Sequence, residues 1–547
     1  MNVKCEPSQT LFIIYNDSMR ERLKNGRFFH ASFLRGGGNG LRLTGRIKIL
    51  TDVKEVNEDN ILQVLQKAYA KHRLNACEIQ YLIDYEAGIQ PLPFEKTIRP
   101  EINIETIDNM ANYVTEFKKG YFWGIPPIYT QRGNKEHHDT DEDIDSSGIA
   151  ALNEMMLNGV CIGAENQKLS DFVEKVGIGH RLIDPKTDWE NDEKQSTYAN
   201  VYTLDSRNAF CVYHNGVGQK KVLGVTYVKN GTRNLFTCFT DKYRFEIESG
   251  KITEIRANLM GMIPIVEYER SVDRTGCFER QISLMDNLNS MVSNFANDVA
   301  QKTQELWWGN DIDFPRDETT GEYIKPKSGQ WLLTNSAGEG KNQKIQPLSS
   351  TFDSTPTLNA ISDVRNQILK QCFVPMQYSS EGGGSTGTAT DTMSGWNATA
   401  VDSARQEQLV SGPAREELIL LLRAINLAPT KVLPADGPLR KIHSSDIDIH
   451  FTRQKNYDIN SKINAVATAV KIGVNGRHAL KIGGGAWPDI EQVWLDSKDT
   501  MEAYQKSLFN KDSSSEESER LTQDSGDQSR QSPAIDGLQT DNAKQMT

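Results

Sequence analysis

Apolar residues fall at Phe278, Ile282, Met285, Leu288, Val292, Phe295, Val299 and Leu306, steps that lie almost entirely at three or four residues. That spacing places them on one stripe of an α-helix. Trp307, Trp308 and Gly309 follow, then about forty residues with turn signals and strand-like runs such as Gln330 to Leu333. A second helical pattern runs through Leu358, Ile361, Val364, Ile368 and Leu369 and stops near Pro375. Gly382 to Thr390 is too poor in apolar groups to pack, and a helix resumes at about Ser394. Two helices side by side, a small insert at one end and a glycine-rich loop at the other, make a strut. Its stripe is wider than one partner helix covers, which implies a neighbour.

The part before residue 196 reads as mainly helical. One helix is expected from about Asn57 to Lys71, and another from about Ile107 to Lys119 with Gly120 as its stop. Leu152, Met155 and Met156 mark a third, and Leu169, Phe172, Val173 and Val176 a fourth that stops at Gly177. Between Ala199 and Tyr268 the period changes to short β-branched and aromatic runs separated by turns such as Asn230-Gly231 and Ser249-Gly250. This predicts an antiparallel sheet. Its last run, Ile263 to Val266, contains Pro264 and is restricted to an edge. Beyond Leu427 a linker with Pro429, Pro434 and Pro438 leads to a strand-like Ile447 to Phe451, then to helices from about Ile459 to Ile472 and Asp489 to Leu508.

Length and charge refine this picture. A chain of 547 residues has room for roughly two to four domains. No apolar run reaches membrane-spanning length, and Met1 to Glu6 contains no apolar signal segment. Seven scattered cysteines without metal-ligand spacing read as reduced thiols. Of the net charge of −11, −5 lies between Lys135 and Asp145 and −5 between Asp512 and Thr547, which leaves the remainder at −1. The body therefore lacks the basic surface of a protein that grips nucleic acid. From Asn510 onward the composition is that of a disordered acidic tail.

Candidate chemistry is sparse. Gly36 to Gly40 and Gly382 to Gly387 lack the Gly-Lys-Ser/Thr ending that a nucleotide loop uses on phosphate and magnesium. The cluster from Glu136 to Asp145 has neither the alternation nor the glycine of a calcium loop. The pairs Asp311/Asp313 and Asp446/Asp448 have no third ligand at recognisable spacing, and Cys211 and Cys372 have no nucleophile context. There is no Gly-x-Ser-x-Gly elbow. The residues supply no positive evidence for an enzyme or a cofactor.

Five stretches in order resemble the portal proteins of tailed double-stranded DNA bacteriophages, siphovirus type. They are Asn112 to Phe117 leading into Gly120-Tyr121-Phe122-Trp123-Gly124 and Ile125-Pro126-Pro127-Ile128-Tyr129; Gly261 to Tyr268; Leu284 to Asn289 with Asn294 and Asp298; Ser394-Gly395-Trp396-Asn397-Ala398; and Ile449 to Arg453 followed by Trp487-Pro488-Asp489-Ile490-Glu491. Pro127 is an extra residue relative to the family pattern. Together these stretches cover about residues 110–490.

The resemblance implies an α+β portal fold with wing, helical stem, small clip, long kinked wing helix and C-terminal crown. Residues 1–277 would be the wing, 278–306 the first stem helix, 307–353 the clip and 354–374 the second stem helix. Residues 375–393 would be the tunnel loop, 394–427 the wing helix kinked at Gly412-Pro413, 428–508 the crown and 509–547 the tail. It further implies a dodecameric ring at a capsid vertex of the virion, assembled in the host bacterial cytoplasm, for packaging and ejecting double-stranded DNA. Expected partners are the terminase motor, a head-completion adaptor, and the major capsid and scaffolding proteins. Gly382, Gly383, Gly384, Ser385, Thr386, Gly387 and Thr388 would face DNA. Ile282, Met285, Leu288, Val292, Phe295 and Val299 would pack the stem. A ring-forming scaffold without a DNA channel and an enzyme with an unrecognised site are the alternatives.

Overall fold

The structure, a computed structural model, describes residues 45–92, 102–131, 147–186, 197–231, 233–303, 306–312, 330–334, 343–347, 354–376, 395–453, 459–482, 493–494, 497–501, 503 and 506. The chain divides into two compact units, residues 1–454 and 455–547. The stretches 36–40, 136–145 and 382–388 and the acidic tail lie outside the described residues.

Helix α1 (Ile61–Glu86) is far longer than the segment expected to end at Lys71. Its buried stripe continues through His72, Asn75, Ile79, Leu82 and Tyr85, so two polar residues interrupt the apolar signal. Both are used. The Asn75 amide accepts from the Ile47 N–H at 2.9 Å and donates to the Ile47 carbonyl at 2.8 Å. The His72 ring stacks on Phe210 with centroids 4.4 Å apart, and its Nε2 lies 2.9 Å from the Arg207 carbonyl. Helix α2 (Met110–Trp123) runs past Gly120, because Tyr121, Phe122 and Trp123 are buried beyond it. Their burial outweighs the ~1 kcal/mol that glycine costs in a helix.

Helix α3 (Ser147–Glu154) continues into a π turn at Met155–Gly159, and α4 (Ile162–Val176) ends at Gly177 as expected. Gly177 has φ 83°, and a Cβ there would lie 2.5 Å from the Arg274 carbonyl, so only glycine fits.

The strands between Ile178 and Glu269, together with one earlier strand, fall into two sheets where one antiparallel sheet was expected. Strand β1 (Ile49–Thr51) pairs in parallel with β5 (Ala209–His214). Then β6 (Lys221–Asn230), β7 (Arg233–Phe239), β8 (Tyr243–Glu248) and β9 (Lys251–Ala257) follow antiparallel, in the order β1-β5-β6-β7-β8-β9. The second sheet has the order β10-β3-β4, from β3 (Ile178–Pro185), β4 (Ala199–Leu204) and β10 (Ile265–Glu269). Strand β10 is an edge strand that begins just after Pro264, whose carbonyl accepts from the Ile183 N–H at 3.0 Å. The region before residue 196 is thus less purely helical than its pattern predicts. Strand β2 (Ile128–Gln131) belongs to it as well, and pairs with β14 (Ile447–His450).

Helix α5 spans Ile282–Thr303, preceded by a 3-10 turn at Glu279–Gln281. Phe278 precedes that turn, and Leu306 opens β11 (Leu306–Asn310), so neither end of the expected stripe is helical. Strands β12 (Gln330–Thr334) and β13 (Lys344–Pro347) flank β11, the first parallel to it and the second antiparallel. Helix α6 (Thr355–Gln371) packs against α5, and α7 (Trp396–Leu427) contains Pro413. The second unit holds α8 (Ile459–Lys471) and α9 (Gly476–Ile482), packed through Val466, Val470 and Leu480. Most of the segment 489–508 lies outside the described residues.

In the first unit, one core joins the apolar half of α7 (Leu418, Leu421, Ile425) to α3, α4 and the smaller sheet. A second joins α1, α2, α5 and α6, and a third fills the space between α1 and the larger sheet. Leu433, Leu439 and Ile447 belong to the first of these, so residues 428–453 are part of this unit.

Burial holds the His72 imidazole down at about 4, against an ordinary 6.5, with the Arg207 carbonyl opposing that shift. A depressed histidine contributes stability that is complete above 6.5 and is lost as pH falls through about 4. His72→Leu is expected to flatten the fall in urea midpoint over that interval, an effect on the order of a few kcal/mol. An equal slope in variant and wild type would rule the assignment out.

Candidate functional site

Helix α5 has two working faces. The apolar face buries Ile282, Met285 and Leu288, and Val292 and Phe295 pack partly covered against the same core. Val299 is 47% exposed in the single chain. On α6, Ile361 and Ile368 are buried in this core. The other face carries Asn289, Ser293 and Asn297, four residues apart. The Asn289 and Asn297 carboxamides accept from the N–H groups of Asp108 at 2.9 Å and Ile104 at 2.7 Å. Ser293 Oγ accepts from the Thr106 N–H and donates to the Thr106 carbonyl, each at 3.0 Å. Asn297 also donates to the Ile104 carbonyl at 3.1 Å.

The match is one of periods. Four helical residues rise about 6 Å and two extended residues about 6.6 Å, so a polar side chain every fourth position meets every second peptide of an extended strip running antiparallel to the helix. The strip's backbone is thereby satisfied without a β-partner. Arg365 of α6 reaches the same strip, its Nε donating to Asp108 at 2.6 Å. At the foot of α5, Tyr85 donates to Asp286 at 2.8 Å. Glu279 accepts there from the Gly276 N–H at 2.9 Å and pairs with Arg46.

The end of α6 and the start of α7 are fastened at one point. Lys118 of α2 donates to the Phe373 carbonyl at 3.1 Å and to Asp402 of α7 at 2.8 Å. Thr399 donates to the same carbonyl at 2.9 Å. Phe373 lies at φ 55°, a conformation held by this double acceptance. Arg270 bridges Asp402 at 3.1 Å and Glu174 of α4 at 2.8 Å. Glu174 in turn accepts from Trp123 Nε1 at 3.1 Å and from Gln406. Burial opposes ionisation of Asp402, but Arg270 and then Lys118 hold its carboxyl below its ordinary value. Farther along α7, Arg181 of β3 forks onto both oxygens of Glu417 at 3.0 Å and also donates to Asn166 at 2.8 Å.

The other sequence candidates do not assemble into a reactive site. Asp446 is exposed in a 3-10 turn and Asp448 lies on β14; no described histidine, cysteine or carboxylate completes a three-ligand group with them. Burial pushes the Cys372 thiol up to about 12, which suits packing and not nucleophilic attack. Ser293, Asn297, Lys118 and Asp402 went unnoticed in the sequence. A run of small amides and hydroxyls at four-residue spacing was the signal available for the first two, while Lys118 and Asp402 stand 284 positions apart and carry none.

Asp402, with its folded value depressed, contributes stability that is complete above 3.8 and is lost as pH falls through the lower folded value. Asp402→Asn is expected to cost about 3–5 kcal/mol at neutral pH by leaving the buried Lys118 without a carboxylate and Arg270 with Glu174 alone. The gap to wild type should narrow in denaturant titrations below pH ~4. A constant gap down to acid pH would show that the carboxylate charge is not what is lost.

Residues 103–475, well over half of the chain, match the family described as phage portal protein, SPP1 Gp6-like. No curated protein matches the chain. The matched span opens at the extended strip and takes in the paired helices and the clamp at Lys118. Portal proteins are structural and non-enzymatic components of the virion, set at a capsid vertex as an oligomeric ring through which DNA is packaged and ejected. The chain belongs to the SPP1 Gp6-like family of phage portal proteins.

Proposed function

We propose that this portal protein forms a dodecameric ring whose stem is the α5–α6 pair. The observation that carries the reading is the contact of these two helices, with strands β11, β12 and β13 contributed by the chain between them. On this reading residues 278–306 and 354–374 are the stem and 307–353 the clip, which docks the terminase motor and later the head-completion adaptor. Residues 1–277 form the wing and 394–427 its long helix, bent where Pro413 removes a backbone donor. Residues 428–508 would be the crown, although 428–453 pack within the first unit. The major capsid and scaffolding proteins meet the outer surface.

The part-covered Val292 and Phe295 and the exposed Val299 suit a helix whose stripe is completed by the next subunit. Residues 375–393, with Gly382, Gly383, Gly384, Ser385, Thr386, Gly387 and Thr388, form the DNA-facing tunnel loop on this reading. Small neutral side chains suit passage, since arginines there would bind phosphate.

Native mass spectrometry and electron microscopy are expected to show twelve-fold closed rings; monomers alone at micromolar concentration would refute the assembly. Phe295→Asp should break the ring by burying an unpaired charge. Replacing Gly383 and Ser385 by arginine should leave rings intact but slow packaging, with relief at higher salt. Normal packaging by rings that carry both arginines would place this loop away from DNA.

A further inference from the structure

We propose that His180, Cys211 and Glu267 form a zinc site buried between the β10-β3-β4 sheet and the six-stranded sheet. His180 of β3 and Glu267 of β10 are cross-strand neighbours, and Cys211 faces them from β5 of the other sheet. All three are buried, and their ligand atoms lie within 4.8 Å of one another. His180 Nε2 and Glu267 Oε2 are 3.1 Å apart. Two ligands at the usual N and O bond lengths of a tetrahedral zinc ion are about 3.3 Å apart, so this edge of the tetrahedron is already set. Cys211 Sγ has to approach by a small side-chain adjustment.

The atoms that would not ligate are already occupied. His180 Nδ1 lies 3.1 Å from Ser206 Oγ, which in turn lies 3.2 Å from the Ile178 carbonyl. If the serine hydroxyl donates to that carbonyl, it accepts from Nδ1–H and leaves the Nε2 lone pair for a metal. On Glu267, Tyr213 donates to Oε1 at 3.2 Å and Arg274 lies 3.0 Å from the same oxygen, leaving Oε2 free of both. Metal-binding histidines and carboxylates have this second layer of hydrogen bonds.

Charge also closes. A cysteine thiolate and the Glu267 carboxylate neutralise a divalent ion. The two nearby cations have further carboxylate partners: Arg274 lies 3.3 Å from Glu269, and Lys221 lies 2.6 Å from Glu416. Binding displaces the Cys211 thiol proton to solvent. The Nε2 proton either leaves too or is replaced by one on Nδ1, so one or two protons are released per metal. Leu182, Leu204, Phe239 and Ile263 pack in one apolar cluster with Cys211, and three protein ligands leave the fourth tetrahedral position to a water.

The test uses full-length rings produced in zinc-supplemented medium without chelator, and the same protein produced in cobalt. Elemental analysis is expected to give one zinc per chain. Cobalt protein should show a thiolate-to-cobalt charge-transfer band that Cys211→Ser abolishes and Cys238→Ser, at an equally buried cysteine outside the cluster, preserves. X-ray absorption of the wild-type zinc protein should give one sulfur with nitrogen and oxygen ligands, a readout independent of how any variant folds. Metal far below one per chain, a shell without sulfur, or a band that survives in a folded Cys211→Ser protein would overturn the site.

Discussion

A long helix that carries ionised side chains into a protein interior is held only where the body supplies the opposite charge. Helix α7 brings in Asp402 and Glu417, and the body answers with Lys118, Arg270 and Arg181. Each ion loses hydration worth several kcal/mol, which the pairing recovers only with close geometry and full hydrogen bonding. Arg181 comes close to that condition: its Nη1 donates to both Glu417 oxygens and its Nη2 to Asn166, Tyr268 donates to Glu417 as well, and only Nε of the guanidinium is left buried without a hydrogen-bond partner. Apolar residues would pack there as well, but they would tolerate sliding. Paired charges fix the helix's register, which matters in a subunit that repeats around a ring.

Helix α4 and strand β3 form the wall between two cores. Val173 and Ile183 face the α7 core, while Val176 and Ile178 face the core of α5 and α6. A displacement of the paired helices therefore meets a packed wall, and through it α7. The same wall holds Glu174, the common partner of Trp123, Arg270 and Gln406. Polar and apolar contacts thus converge on a few residues of α4.

This arrangement suits a portal. On the proposed reading, in which α5 and α6 make the stem, these helices need an apolar side for each other and further surface for the neighbouring subunit. Attaching the extended strip through Asn289, Ser293 and Asn297 uses the polar face of α5 for anchorage and leaves the apolar stripe for packing. Fastening the end of α6 and the start of α7 to one lysine gives the chain between them two fixed roots close together.

The sequence by itself determined the period-driven elements. The stripes of α5 and α6, the stop of α4 at Gly177 and the strand runs from β4 to β8 all follow from local spacing and from the chemistry of glycine. The family was legible in five short stretches in order, and residues 103–475 match it. Tertiary structure alone decided the rest. The second half of α1 hides behind His72 and Asn75, polar residues whose burial makes sense only once Phe210, Arg207 and Ile47 are beside them. The division into two sheets and the parallel pairing of β1 depend on contacts between distant segments, to which a local pattern is blind. The Lys118 clamp and the His180–Cys211–Glu267 cluster join residues far apart in the chain. Local spacing constrains only neighbours, and the pairing of distant charges and ligands is fixed when the cores close around them.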